Sequence, residues 1–158
     1  MDSRVAGVLA EGCQKLTSEA SVALRRAQNP EVIRLAESIY LDCSSYLMNQ
    51  RALVETLGLR PGESAVQSRI QASAPAGISE LSSQALSDFD RTFVERMVAD
   101  QNEILGLAEG TLLPTTNHSE LKALIEVQFN PNMRRNLATA RQLQTDLREQ
   151  ERRNRSGV

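Results

Sequence analysis

From Val5 onward, apolar side chains recur as Val5, Val8, Leu9, Leu16, Ala20, Ala23, Leu24 and Ala27, with charged residues between them. That spacing puts them on one face of a helix and predicts an amphipathic helix running to about Ala27. Gln28-Asn29-Pro30 resets the chain. Asn29 is a good N-cap, and Pro30 suits the first helical position, where a missing N–H costs nothing. A second helix follows through Val32, Leu35, Ala36, Ile39, Cys43, Leu47, Val54 and Leu57. Gly58 and Arg60-Pro61-Gly62 close it, as Gly past a C-terminus and Pro soon after should.

Residues 59–86 are polar, with Pro61, Pro75, Gly77 and many Ser. Two short helical patches, 65–72 and 78–86, break an otherwise irregular stretch that reads as a crossover along the outside of a bundle. Ser87-x-x-Asp90 resembles a capping box with Asp in place of Glu. A third helix then carries Phe89, Phe93, Met97, Ile104, Leu105, Ala108 and Leu112. After a loop at 114–117, Asn117 or His118 is placed to cap a fourth, with Leu121, Leu124, Ile125, Met133, Leu137, Ala140, Leu143 and Leu147. Pro131 inside that helix removes a backbone bond and predicts a kink near Val127. The charged residues from Glu149 onward should fray. The pattern therefore reads as all-α, a ferritin-like four-helix bundle with a long crossover between helices 2 and 3. Residues 1–150 form one domain, and 151–158 a frayed charged tail.

The chain of 158 residues is one domain in length. Three Phe, two Tyr and no Trp argue against a β-sandwich or barrel. Eighteen basic against 20 acidic residues exclude a polycation built for nucleic acid. No window is long and apolar enough to span a membrane. The first residues do not read as a secretory signal, so the expected location is cytoplasmic, or periplasmic if a leader preceded Met1 and was removed.

One His and two Cys exclude most zinc sites. A di-iron bundle needs Glu-x-x-His pairs, and the sequence contains none. No phosphate loop, nucleophile elbow or nucleophile–base pairing is present either. These readings give no catalytic residue, no metal ligand, no cofactor and no small-molecule substrate. His118 reads as a surface or capping residue, Asp42 and Asp100 as the solvated edges of their stripes, and Met48, Met97 and Met133 as core filler. Cys13 and Cys43 lie about 15 residues either side of the first turn, so in an antiparallel hairpin they stand at nearly one height and face each other. A disulfide needs Cα atoms within about 7 Å, closer than most helix axes approach. Two reduced, buried thiols are the favoured reading, with a bridge as the alternative. Late in the chain, Arg134, Arg135, Arg141, Arg148, Arg152, Arg153 and Arg155 outnumber the nearby acids. They form a candidate surface for an acidic partner, or else offset the helix dipole.

The segments Asn29-Pro-Glu-Val-Ile-Arg-Leu-Ala-Glu, Leu41-Asp42, Phe89-Asp-Arg-Thr-Phe-Val-Glu-Arg-Met-Val-Ala-Asp100 and Ser119-Glu-Leu-Lys-Ala-Leu add a family likeness. In this order they resemble the bacterial family known as domain of unknown function 4142, over about residues 5 to 145. The resemblance implies a ferritin-like helical bundle, mostly exported members and no established activity. Its members typically carry histidines where this chain has Cys43, Gln101 and Asn136. Three inward imidazoles would be candidate metal ligands or proton carriers, and here all three are replaced. The function expected is that of a non-enzymatic bundle that binds protein, associates with itself or plays a structural role. The alternative is a metal-binding or redox stress-response protein of the bacterial envelope, using Cys13, Cys43 and nearby Met or acidic residues.

Overall fold

A computed structural model describes residues 1–60 and 62–157, and every regular element among them is helical. Helix α1 spans Asp2–Arg26 and α2 spans Pro30–Thr56. Asn29 caps α2 as its sequence predicts, its side chain accepting from the Glu31 N–H at 2.9 Å. At the other end Gly58 turns left-handed, with φ 63°. There the Gly58 N–H reaches Glu55 O and the Leu59 N–H reaches Val54 O, closing the last carbonyls of α2. Pro61, expected to help end this helix, lies outside the described residues.

The crossover departs from its prediction. Residues Ala65–Ser83 form one continuous helix, α3, with Pro75 inside it. Ile70, Gly77 and Leu81 are its buried residues and fall on one face. That burial, together with the Ser64 side chain accepting from the Gln67 N–H, offsets the backbone bond that Pro75 cannot make.

Helix α4 spans Leu86–Leu107 and continues through a π turn, Ala108–Leu112, into Leu113–Thr115. The capping box expected at Ser87 and Asp90 does not form. Ala85 occupies the N-cap without a side-chain bond, and the Asp90 carboxylate accepts from the backbone N–H groups of Gln28 and Asn29 instead. Asp90 thus ties the turn between α1 and α2 to α4. Helix α5 comprises Ser119–Leu124, a π turn at Ile125–Phe129, and Asn130–Ser156.

Both π turns stand immediately before a proline's approach. The Leu113 N–H bonds back to Ala108 O and the Asn130 N–H to Ile125 O, five residues each, and Pro114 and Pro131 come next. A proline ring collides with the carbonyl four residues earlier, and widening the turn removes the collision while keeping the helix. The kink expected near Val127 is therefore a π turn, which leaves Val127 77% exposed while Ile125 and Phe129 stay buried. The tail expected to fray from Glu149 is helical through Ser156.

Helix α1 packs on α2, α3 and α4, while α5 packs on both α2 and α4. Leu9 and Leu16 of α1, Leu35 and Ile39 of α2, Phe89, Phe93 and Met97 of α4, and Ile125 and Leu137 of α5 meet in one core. Among the described residues no helix is long and apolar enough to cross a membrane.

The start of α5 takes its cap from the far end of the chain. Buried Asp2 accepts from the Asn117 N–H at 2.9 Å and the His118 N–H at 2.8 Å, and its carboxylate also meets the His118 ring. Burial alone would raise the Asp2 carboxyl. The two backbone donors and His118 outweigh it and hold the group below the usual carboxylate range. A depressed acid stabilises the fold above its unfolded value and loses that contribution as pH falls. Asp2→Ala is therefore expected to cost about 1–3 kcal/mol near neutral pH in urea unfolding, and clearly less at about pH 3. An unchanged difference between the two pH values would show that the carboxylate is not the stabilising group.

Candidate functional site

Midway along the bundle, α1, α2, α4 and α5 enclose a cavity of about 10 Å³, room for roughly one water molecule. Its lining includes Cys13 from α1, Cys43 from α2, Gln101 from α4, and Phe129, Met133 and Asn136 from α5. The three positions where the resemblance implies histidines, occupied here by Cys43, Gln101 and Asn136, thus come together at one place. Pro131 contributes to this convergence, since the π turn ahead of it sets the register that carries Phe129, Met133 and Asn136 inward. Tyr46 closes the side, its ring meeting Phe129 edge-on with centroids 4.9 Å apart.

Both cysteines are free and buried. Hydrogen-bonding contact with Cys43, then burial, then the charge Cys43 would carry hold the Cys13 thiol well above its ordinary range. The amides around them differ in what they leave open. Asn136 is fully engaged, accepting from the Ser38 hydroxyl at 2.7 Å and donating to Asp42 at 2.9 Å. Gln101, with no exposed surface, donates to the Met97 carbonyl at 3.1 Å, and its own Oε1 has no partner. Asp42 is turned to Arg135 at 2.6 Å as well as to Asn136, so its charge is spent at the rim. Among the described residues no three His, Cys, Asp or Glu side chains are arranged to hold a metal ion.

A second polar cluster lies where α1, α3 and α4 meet, and sequence reasoning missed it. Asp100, expected at a solvated edge, is buried, and accepts from Lys15 Nζ at 3.0 Å. Glu19, with no exposed surface, accepts from Arg96 Nε at 2.7 Å, and Arg96 also reaches Glu80 on α3 at 2.6 Å. Arg69 of α3 and Glu103 of α4 pair at 3.2 Å at the edge of the same cluster. Glu19 Oε2 and Asp100 Oδ2 are both buried without a partner. One proton shared between the two carboxyls satisfies both. Burial, then the charge and hydrogen bond of Asp100, push the Glu19 carboxyl up to about 8 against the pull of Arg96. The sequence held one signal for this site: Gly12, Lys15 and Glu19 recur at helical spacing beside the apolar face of α1.

The other sequence candidates lie outside both clusters. Arg134, Arg135, Arg148 and Arg153 are paired with Glu109, Asp42, Glu95 and Glu149 respectively, which reduces the positive surface their number suggests. Arg148 and Arg152 also line a shallow groove with Glu151 and Arg155. His118 stands at the N-cap of α5, without a side-chain bond to that helix's own backbone. Met97 and Met133 are core, but Met48 is 73% exposed, because it lies one heptad beyond Leu41 on the outer side of α2.

The family model described as Domain of unknown function (DUF4142) matches residues 2–143. Neither a curated protein nor a solved structure matches the chain.

The charge cluster sets two expectations. A Cβ on Gly77 would lie 2.2 Å from Arg96 Nη2 and 2.5 Å from Glu19 Oε1. Arg96 is long and flexible, yet moving it strands Glu19 in the interior. Gly77→Ala should therefore destabilise by about 1–3 kcal/mol, although alanine improves an exposed helix by about 1 kcal/mol. The raised Glu19 carboxyl means that the folded chain keeps a proton which the unfolded chain releases above about 4.5. Stability should then fall as pH climbs from there to about 8, with a slope of at most about 1.4 kcal/mol per unit, and level off above. Urea unfolding across that range should show a flatter profile for Glu19→Gln; parallel profiles would rule out Glu19 as the proton's holder.

Proposed function

The chain belongs to the DUF4142 family, whose description assigns no activity, and we propose that it is a non-enzymatic helical module that works by binding protein, its partner being a second copy of itself. One observation carries this reading. Leu41 and Met48 stand 65% and 73% exposed on α2, whose inner face is fully used in the core.

These two residues belong to a longer pattern. Arg34, Leu41, Met48 and Glu55 recur every seven residues, and Glu37, Ser44 and Arg51 follow at the complementary heptad spacing. The stripe is its own complement. A second α2 laid antiparallel, with its two-fold axis near Ser44 and Ser45, sets Leu41 against Met48 and Arg34 against Glu55. It also brings Glu37 within one residue of Arg51. Each copy then offers the same patch to the other, as a two-fold dimer requires. Arg34 and Arg51 already pair with Glu31 and Glu55 within the helix, but these pairs are exposed and contribute little, so they re-pair across an interface at small cost.

An interface of one helix face is small, and an affinity on the order of micromolar is expected. Sedimentation equilibrium should find a reversible dimer, and Leu41→Asp or Met48→Asp should abolish it with the helical circular dichroism unchanged. Arg34→Glu should weaken the dimer about tenfold, and adding Glu55→Arg should restore it, because the swap re-creates the opposite charges. A wild-type chain that remains monomeric at about 100 μM would end this reading.

A further inference from the structure

The atoms open toward the mid-bundle cavity form an uncommon set. Three sulfur-bearing side chains line it: the thiols of Cys13 and Cys43 and the thioether of Met133. Gln101 Oε1 is open as well, buried and without a partner. Asp42 and Asn136 also line the cavity; Asp42 Oδ2 is taken up by Arg135 and Asn136, and Asn136 Oδ1 by Ser38.

Thiolate and thioether donors select soft metals, whereas carboxylates and carbonyls suit hard ones. A zinc site takes four N, S or O ligands, and this lining offers two thiols and no imidazole. A monovalent ion also suits the surroundings better than a divalent one, because the one carboxylate in the lining, Asp42, is already paired with Arg135. We propose that the cavity is a site for one copper(I) ion, held by the sulfurs of Cys13, Cys43 and Met133, with Gln101 Oε1 beside them.

Charge and protons balance without any other reactant. Copper(I) replaces the proton of one thiol, that proton leaves to solvent, and the second thiol binds as a neutral donor. The product, one thiolate with one monovalent cation, is electrically neutral and so tolerates burial. Neither copper nor sulfur changes oxidation state. Because the ion displaces a thiol proton, affinity should rise with pH. Half-buried Asp42 and Asn132 line the part of the cavity nearest solvent and offer the way in.

The test is an anaerobic titration of the reduced full-length chain with copper(I), against bicinchoninate as a chromophoric competitor. One equivalent should bind and bring up a sulfur-to-copper charge-transfer band in the near ultraviolet, with affinity increasing as pH is raised. Cys13→Ser and Cys43→Ser should each weaken binding beyond the roughly 10–100-fold typical of groups that act around a metal without ligating it. Met133→Leu, which keeps the core volume, should weaken it by about tenfold. Zinc(II) should not compete. If the wild-type chain yields no band at one equivalent, or if the double cysteine variant binds copper(I) as tightly, the proposal is overturned. The wild-type band decides the matter even where a variant fails to fold. Sedimentation of the metal-free chain is a separate measurement, so this site and self-association stand or fall independently.

Discussion

Glu19 brings a carboxyl to a point with no access to water, and the surrounding helices are arranged by what that group requires. An isolated buried charge costs more than a small domain's whole margin of stability, so it must be neutralised or paired. Here both happen. Arg96 binds one oxygen, and the proton favoured by burial and by Asp100 serves the other. Arg96 in turn reaches Glu80, which draws α3 over the cluster, and a Cβ at position 77 would press on the Arg96 guanidinium and the Glu19 carboxyl. The outer helix is therefore docked by a chain of pairings that begins on α1, with Ile70 and Leu81 adding apolar contact on either side.

The long helices were legible because each carries a continuous apolar face, and their ends were legible where the signal is local. Asn29-Pro30 and Gly58 act through their own backbone and do what their residue types imply. Signals that depend on a distant partner were not legible. Ser87 and Asp90 have the spacing of a capping box, yet Asp90 lies nearer two unpaired N–H groups at the α1–α2 turn and serves those. His118 and Asn117 look like a cap, whereas the acceptor is Asp2, more than a hundred residues earlier. In the sequence, helix α3 reads as two fragments because Pro75 and Gly77 are weak helix formers in water. The sequence alone does not reveal that a side chain at position 77 would crowd Arg96 and Glu19.

The cavity was half legible. Counting residues from the first turn puts Cys13 and Cys43 at one level, and in the structure both line the same cavity. Nothing local marks Met133 as a companion, since its inward register depends on the π turn that Pro131 imposes. The resemblance named three positions, and the structure adds that they share one small space. Where the resemblance implies imidazoles, that space holds a thiol, an amide with an open oxygen and an amide bonded to Ser38 and Asp42.

Helix α2 links the interior to the surface, and its geometry says how closely. Cys43 follows Leu41 by two residues and precedes Met48 by five, which at about 100° per residue puts the thiol on the opposite side of the helix from both. A ligand seated in the cavity and a partner seated on the stripe therefore do not touch, and each can act on the other only by shifting α2 as a body. Against such a shift stand Gln50, whose amide bonds the Ala6 carbonyl of α1 at 2.8 Å, and Ser45 and Asn49, both bonded to Gln128 of α5. With α2 held on both flanks, filling a space of one water leaves little displacement to transmit. Binding inside and pairing outside would then be energetically separate, joined only by the packing that keeps α2 in place.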